Sequence, residues 1–477
     1  MILNNNDNKN NLDNPVFKII GDIADEIGVK AYVIGGYVRD YYLGRDLTDI
    51  DVTVVGDGIQ LAEKVGAKVH ANVTVYKTFG TAALKYIHDG VEFEVEFVGA
   101  RKESYDPSSR KPAVCGGTLE DDQNRRDFTI NAMAFALNSQ NYGELIDPFD
   151  GIGDLQREII RTPMKPDKTF SDDPLRMMRA VRFATQLGFK IFPVTILSIQ
   201  ENAHRLEIIS MERIATELGK IMKSKNPARG FGLLDATGLL MQFFPEMIAL
   251  KGVDRVGKHS HKDNFTHTLQ VLENITPNTD DVWLRWAALL HDVGKPKSKR
   301  YNEKHGFTFH GHETIGAKMV ANIFRRLKFP LDDRMKTVQK LVMLHLRPIA
   351  LVEDVVTDSA VRRLLFDAGE DTDNLMILCD ADITSGDGNK VQRYLQNFEI
   401  VRQKLVEIEQ KDQIRNFQPP IDGQIIMETY NLEPCSLVGQ IKATIKEAIL
   451  DGEIKNDYHE AFQLMEKLAE QNGLTKK

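Results

Sequence analysis

Between residues 34 and 55 the chain reads IGGYVRDYYLGRDLTDIDVTVV, and the residues able to do chemistry there are Gly35, Gly36, Arg39, Asp49 and Asp51. Side chains alternate along an extended strand, so Asp49 and Asp51 emerge on one face. Two carboxylates on one face repel each other unless a cation lies between them. Mg²⁺ suits that place, because it takes oxygen ligands and shares them with substrate phosphates. Glycine has no Cβ, so the backbone at Gly35 and Gly36 can approach a phosphate and donate N–H bonds to it. Arg39 can meet another phosphate oxygen. An Asp-x-Asp pair alone would be an exposed strand end with solvated acids. The glycines and the arginine at this spacing argue instead for a triphosphate and metal site.

Other groups stand further along. Glu92, Glu94 and Glu96 share the polar face of a strand, where any one of them could add a third metal ligand or simply meet water. Arg125, Arg126 and Asp127 precede FTINAMAF; helix capping would explain Asp127 but not two adjacent arginines. Asp173 and Arg176 lie three apart, on one helix face, so they could pair as a salt bridge or offer acceptor and donor to a base edge. His267, His291, Asp292, His312, His345 and Asp382 fall at wide intervals on largely apolar helices. One such histidine is usually a satisfied core residue. The whole series fits a metal site built between bundled helices.

These residues need elements to hold them. Strands are expected over 31–34, 50–55, 79–87 and 91–98, the last two joined by a hairpin at His88-Asp89-Gly90. In the last strand Phe93, Val95 and Phe97 alternate with the three glutamates. Prolines and glycines make 101–117 a mobile loop. Apolar spacing through Phe128, Ala132 and Phe135 predicts a helix starting at 125–127. A turn-rich connector over 146–163 leads into a helical protein. There Ser171 is read as the cap and Pro174 as the first turn of the helix carrying Asp173 and Arg176. Gln418-Pro419-Pro420 ends a helical region, and Ile441, Ile445 and Ile449 mark a packed helix after it.

At 477 residues the chain has room for several domains, and 42% hydrophobic with 27% charged residues is ordinary for a soluble protein. No run is apolar enough for a membrane span, and MILNNNDNKNNLDN reads as a disordered tail rather than a signal peptide. Three separated cysteines suggest neither a zinc site nor a disulfide framework, so a cytoplasmic location is expected. A net charge of −8 does not advertise nucleic-acid binding, and the basic clusters 295–300 and 325–328 read first as solvated faces.

In order, GGYVRDYYLGRDLTDIDVTV, RRDFTINAMAF, DPFDGIGDLQREIIRTP and DDPLRMMRAVRFATQLGF resemble the motif series of the bacterial class of CCA-adding tRNA nucleotidyltransferases and their poly(A) polymerase relatives. The residues around His267, His291-Asp292 and Asp382 resemble the HD domain that many of these carry. The resemblance implies an α+β protein: a nucleotidyltransferase head with a small mixed β-sheet, then an elongated all-α neck, body and tail. The expected divisions are a tail at 1–14, the head at 15–150, neck and body at 151–255, the HD domain at 256–415 and a helical tail at 416–477.

It also implies roles. Asp49 and Asp51 would bind two Mg²⁺ ions, with Glu96 the third catalytic acid. Gly35, Gly36 and Arg39 would cradle phosphates. Arg126, Asp127 and Asn131 would recognise the ribose, Asp173 and Arg176 would pair with the incoming C or A, and Arg179 would lie near the triphosphate. His267, His291, Asp292 and Asp382 would hold an unidentified divalent metal, with His312 and His345 matching the ligands of a second. The motif usually opens with Glu-Asp where this chain has Asp172-Asp173. The implied reaction adds CMP, CMP and AMP from CTP and ATP to tRNA; the HD domain would be a phosphohydrolase or a grip on tRNA. Phe79-Gly80-Thr81-Ala82 stands where poly(A) polymerases carry Gly-Arg-Arg-Phe, and the full-length loop at 101–117 argues against a CC-only enzyme. The alternatives are poly(A) polymerase, CC- or A-only addition, and an HD phosphohydrolase with an inactive front half. The sequence does not give the oligomeric state.

Overall fold

The computed structural model describes residues 12–78, 80–104, 113–252, 255–256, 259–260, 263–304, 306–353, 357–384, 388–412 and 418–476. The chain forms two compact units, 1–245 and 246–477.

The first unit begins with helix α1 (Pro15–Ile27), capped by the Asn14 side chain and closed by Gly28 in the left-handed region, φ 71°. Of the tail expected over 1–14, residues 1–11 lie outside the described residues, while Leu12 is buried. Strand β1 (Lys30–Ile34) leads through Gly35 into α2 (Gly36–Tyr42). Gly35 is required twice over. Its φ is 83°, and a Cβ there would stand 2.7 Å from an Arg126 guanidinium nitrogen.

Strand β2 (Asp49–Val55), helix α3 (Gly58–Val69) and strands β3 (Val73–Tyr76), β4 (Thr81–His88) and β5 (Val91–Gly99) follow. Asp89 and Gly90, both at positive φ, make the two-residue hairpin turn that the sequence predicts. Phe79, the first residue of the predicted strand 79–87, lies outside the described residues. The ends of the predicted 101–117 loop are strands instead, β6 (Arg101–Ser104) paired antiparallel with β7 (Ala113–Gly116); 105–112 lie outside the described residues.

After helix α4 (Leu119–Asn124) the helix predicted from 125 does not form. A 3₁₀ turn at Thr129–Asn131 gives way to β8 (Ala134–Ala136), which pairs with β1 and with β9 (Leu145–Ile146). Its spacing suited a helix, but Phe128 packs edge-on against Phe183 and Phe135 against Tyr41, contacts with distant segments. The mixed sheet runs β3-β4-β5-β2-β1-β8-β9, with β2 and β5 parallel and the other pairs antiparallel. Ile50, Val52 and Val54 are buried on one face, and α3 packs against β2, β4 and β5.

Beyond the sheet the first unit is helical. Helix α5 (Gly151–Arg157) and α6 (Pro166–Asp172) precede α7 (Leu175–Leu187). Ser171 therefore ends α6 rather than capping α7. The Asp173 side chain takes that task, accepting from the Leu175 N–H at 3.1 Å.

The second unit packs the helices Asn264–Ile275, Val282–Leu290, His312–Arg326, Asp333–Leu344 and Thr372–Asp382 around a core that includes Trp286, Leu289 and Phe324. Its last helices include Ser436–Asp451, where Ile441, Ile445 and Ile449 are buried as their spacing predicts.

Candidate functional site

Asp49 and Asp51 are exposed on one face of β2, as strand alternation requires, with Ile50 buried between them. The parallel register of β2 and β5 sets Asp51 opposite Glu96 and Asp49 opposite Glu94. Although Asp51 keeps solvent contact, the protein atoms crowded around its carboxyl strip part of its hydration and raise it above its ordinary value; Arg126 opposes that shift, and Asp49 and Asp122 reinforce it. Glu96 is raised too, by burial first and then by Asp51. Like charges facing each other across neighbouring strands make a place for a cation. No group of ligand atoms within 4.8 Å of one another forms here among the described residues; such groups lie in the second unit.

The positive charges of Arg126 and Arg179 act on Asp51, and further arginines gather on the Phe183 ring. Arg39 donates to the Asn131 side-chain oxygen at 2.7 Å and lies 5.1 Å from the centre of the Phe183 ring. Arg179 and Arg182 share the same ring at 5.4 and 3.9 Å. Asp127 is buried and accepts from Arg179 at 2.7 Å and from Asn131 at 3.0 Å. Burial alone would raise its carboxyl, yet Arg179 and Asn131 outweigh that and hold it down at about 2. Gly35 and Gly36 open α2 beside these groups.

Asp122 was not singled out by its sequence, where LEDD reads as the acidic first turn of a helix. Its fully buried carboxylate pairs with both Arg125 and Arg126, and the Thr53 hydroxyl of β2 lies 3.5 Å away. Asp122 therefore joins the two adjacent arginines to the strand that carries Asp49 and Asp51. Asp173 and Arg176 do not pair as their spacing suggested. Arg213 donates to Asp173 at 3.0 Å, whereas Arg176 is buried and donates to the carbonyls of Arg125 at 2.6 Å and Thr169 at 3.3 Å.

In the second unit the six predicted residues come together. His267 Nε2 lies 3.0 Å from Asp382 Oδ1 and 3.4 Å from Asp292 Oδ2. His291 Nε2 lies 3.2 Å from Asp292 Oδ2 and 3.3 Å from His267 Nε2. On the other side of Asp292, His312 Nε2 is 3.3 Å from Oδ1 and 3.3 Å from His345 Nε2. The outer nitrogens are engaged: Nδ1 of His291, His312 and His345 meets the carbonyls of Ala288, Phe309 and Val342 at 2.7–2.9 Å. Donation to a carbonyl puts the proton on Nδ1 and leaves Nε2 as a bare lone pair.

For His312 and His345 this leaves two bare lone pairs 3.3 Å apart, which repel unless a cation takes them, so these donors fit a divalent metal. Without one, burial disfavours charge on His291, but Asp292 and Asp382 prevail and hold it up at about 10. Burial, with the positive His291 nearby, drives His345 down to about 4. Thr384, 2.8 Å from His267 Nδ1, and Lys295, 2.6 Å from Asp292 Oδ2, complete the surroundings and were not read from the sequence as part of the site.

Comparison with known proteins finds three matching stretches of the chain. Residues 31–161 match the Poly A polymerase head domain, 188–250 the probable RNA and SrmB-binding site of polymerase A, and 264–387 the HD domain. Over 344 residues the chain is 33% identical to an A-adding tRNA nucleotidyltransferase of Deinococcus radiodurans, covering 70% of this chain and 76% of that one. The chain belongs to the tRNA nucleotidyltransferase and poly(A) polymerase family. Its fold is that of solved members. A CCA-adding enzyme in an apo form matches with a TM-score of 0.63 and 23% identity over 95% of both chains. A Thermotoga maritima CCA-adding enzyme complexed with tRNA matches with a TM-score of 0.58 and 21% identity, over 96% of this chain and 95% of that one. As in the sequence reading, this family member has no helix, among the described residues, long and apolar enough to cross a membrane.

Proposed function

We propose that this chain transfers nucleoside monophosphates from CTP and ATP to the 3′ end of tRNA, without a nucleic-acid template, and releases pyrophosphate. The observation that carries the reading is the row of Asp49, Asp51 and Glu96 on adjacent parallel strands beside the Gly35 turn. Two Mg²⁺ ions held by Asp49 and Asp51 would activate the primer hydroxyl and steady the triphosphate. Gly35, Gly36 and Arg39 receive phosphates, with Arg179 near the triphosphate. Arg126, Asp127 and Asn131 meet the ribose, and the Arg179–Asp127 and Arg39–Asn131 bonds keep those side chains in place. Asp173 and Arg176 read the base edge once the nucleotide draws them from their present partners, Arg213 and the Arg125 carbonyl.

The full motif series supports addition of C, C and A. The A-adding relative supports a second reading, addition of A alone. One assay separates them: purified chain, labelled CTP or ATP, and tRNA transcripts lacking CCA, lacking CA or lacking only the final A. Incorporation on all three supports the complete reaction. Incorporation only on the last supports A addition, a long ladder of A supports a poly(A) polymerase, and no incorporation on any rejects the proposal.

For the second unit we propose a divalent metal held by His267, His291, Asp292 and Asp382, a second toward His312 and His345, and hydrolysis of phosphate esters. The convergence of Nε2 atoms on both oxygens of Asp292 supports it. Phosphate release from a small ester that survives in His291→Ala would reject the hydrolytic part.

A further inference from the structure

The helix Met211–Met222 packs against α7 and carries a buried acid that the proposed reaction does not use. Glu217 is 3% exposed, and its Oε2 lies 2.6 Å from Arg182 Nε of α7. Among the described residues neither atom has an aligned hydrogen-bond partner, so charge is what ties the two. Four residues earlier on the same helix, Arg213 pairs with Asp173 just ahead of α7.

Arg182 needs that counter-charge. Its guanidinium stands 3.9 Å from the centre of the buried Phe183 ring, and the same ring takes Arg39 at 5.1 Å and Arg179 at 5.4 Å. Burial draws the Arg182 cation below its ordinary value; Glu217 opposes that shift, and Arg179 and Arg39 reinforce it. Three cations around one ring repel where little water screens them. Each has a carboxylate of its own: Asp40 lies 2.5 Å from Arg39, Asp127 lies 2.6 Å from Arg179, and Glu217 balances Arg182. Asp40 stands in α2 and Asp127 just after α4, whereas Glu217 comes from a helix outside the residues read as nucleotide-binding. A brace between two helices would be served as well by an apolar contact, because a buried charged pair seldom stabilises more than packed hydrocarbon.

We infer that Glu217 is a positioning residue for nucleotide transfer: its charge lets Arg182 stand beside Arg179 and Arg39, and so holds those two where a triphosphate meets them. The inference rests on the proposed function, which gives the triphosphate to Arg39 and Arg179. Their contacts form when the nucleotide binds and persist in the transition state, so weakening them raises KM and leaves kcat.

The test measures the affinity of the full chain for ATP with Mg²⁺ by calorimetry, and AMP transfer to tRNA lacking only the final A. In Glu217→Gln, which keeps the shape and removes the charge, Kd and KM for ATP should rise about tenfold, the worth of one contact to a charged group. Both kcat and the KM for tRNA should stay near the parent values. Glu217→Gln/Arg182→Gln should regain most of the loss, because no surplus cation remains. The double variant buries no unpaired charge, so it keeps the test open should the single variant fail to fold. Unchanged ATP affinity in Glu217→Gln, a double variant that binds ATP about tenfold more weakly than the parent, or a tRNA KM that rises alongside would overturn the inference. A parent that binds ATP without transferring AMP would reject the proposed function, and the ATP Kd would still decide the role of Glu217.

Discussion

Single carboxylates carry the nucleotidyl-transfer reading, and each makes a separate demand. Asp49 and Asp51 share one face of β2, and at Asp51 partial desolvation and the neighbouring Asp49 charge already favour a cation. Replacing either by Ala should lower nucleotide incorporation by roughly a hundredfold or more, because charge stabilisation of the reacting phosphate is lost. Near-parent incorporation in either variant would sink the assignment. Asp127 makes a demand on stability. Its folded value of about 2 lies below the ordinary 3.8, so it contributes stability above about pH 4 that is lost as pH falls toward 2. The shift corresponds to about 2 kcal/mol at neutral pH. Acid unfolding followed by circular dichroism should therefore be shallower between pH 4 and pH 2 in Asp127→Asn than in the parent. Parallel curves would mean that the Arg179 pair adds nothing.

At the scale of elements, what was legible in the sequence is what local periodicity encodes. Alternation in 91–98 and the Asp89-Gly90 turn depend on neighbouring residues alone, and the structure agrees with both. The 125–135 stretch was misread because its pairing partner, β1, lies about a hundred residues earlier. For the histidines, residue types and order announced a site, while the division of Asp292 between two histidine pairs emerges only when four helices meet. Asp122 was hidden for the opposite reason: an acid in the first turn of a helix looks solvated, yet here it is buried between α4 and β2. Asp122→Ala strips the shared partner from Arg125 and Arg126. It should destabilise the first unit by on the order of 3 kcal/mol, discounted from the fully buried case because both arginines are partly exposed. Urea unfolding of the parent and variant measures it, and a change under about 0.5 kcal/mol, typical of a surface substitution, would show that the arginines find other partners.

For the whole molecule, the division at residue 245 separates two kinds of metal demand. The head offers carboxylates alone, a hard oxygen set that suits Mg²⁺ shared with a nucleotide. The second unit offers imidazole nitrogens already aimed inward, with Asp292 and Asp382, a set that suits a first-row transition metal held by protein alone. A resident metal binds the folded state and not the unfolded chain, so at a hundredfold excess over its Kd it adds about 2.7 kcal/mol. For a unit of this size that corresponds to a rise of roughly 5–10 °C in Tm. Calorimetry after chelation and then with Mn²⁺ added back should show one transition moving up by that amount and another unmoved. The shift should vanish in His291→Ala and persist in Asp49→Ala. A shift that persists in His291→Ala would place the bound metal elsewhere, and the inward-facing nitrogens would then be structural alone.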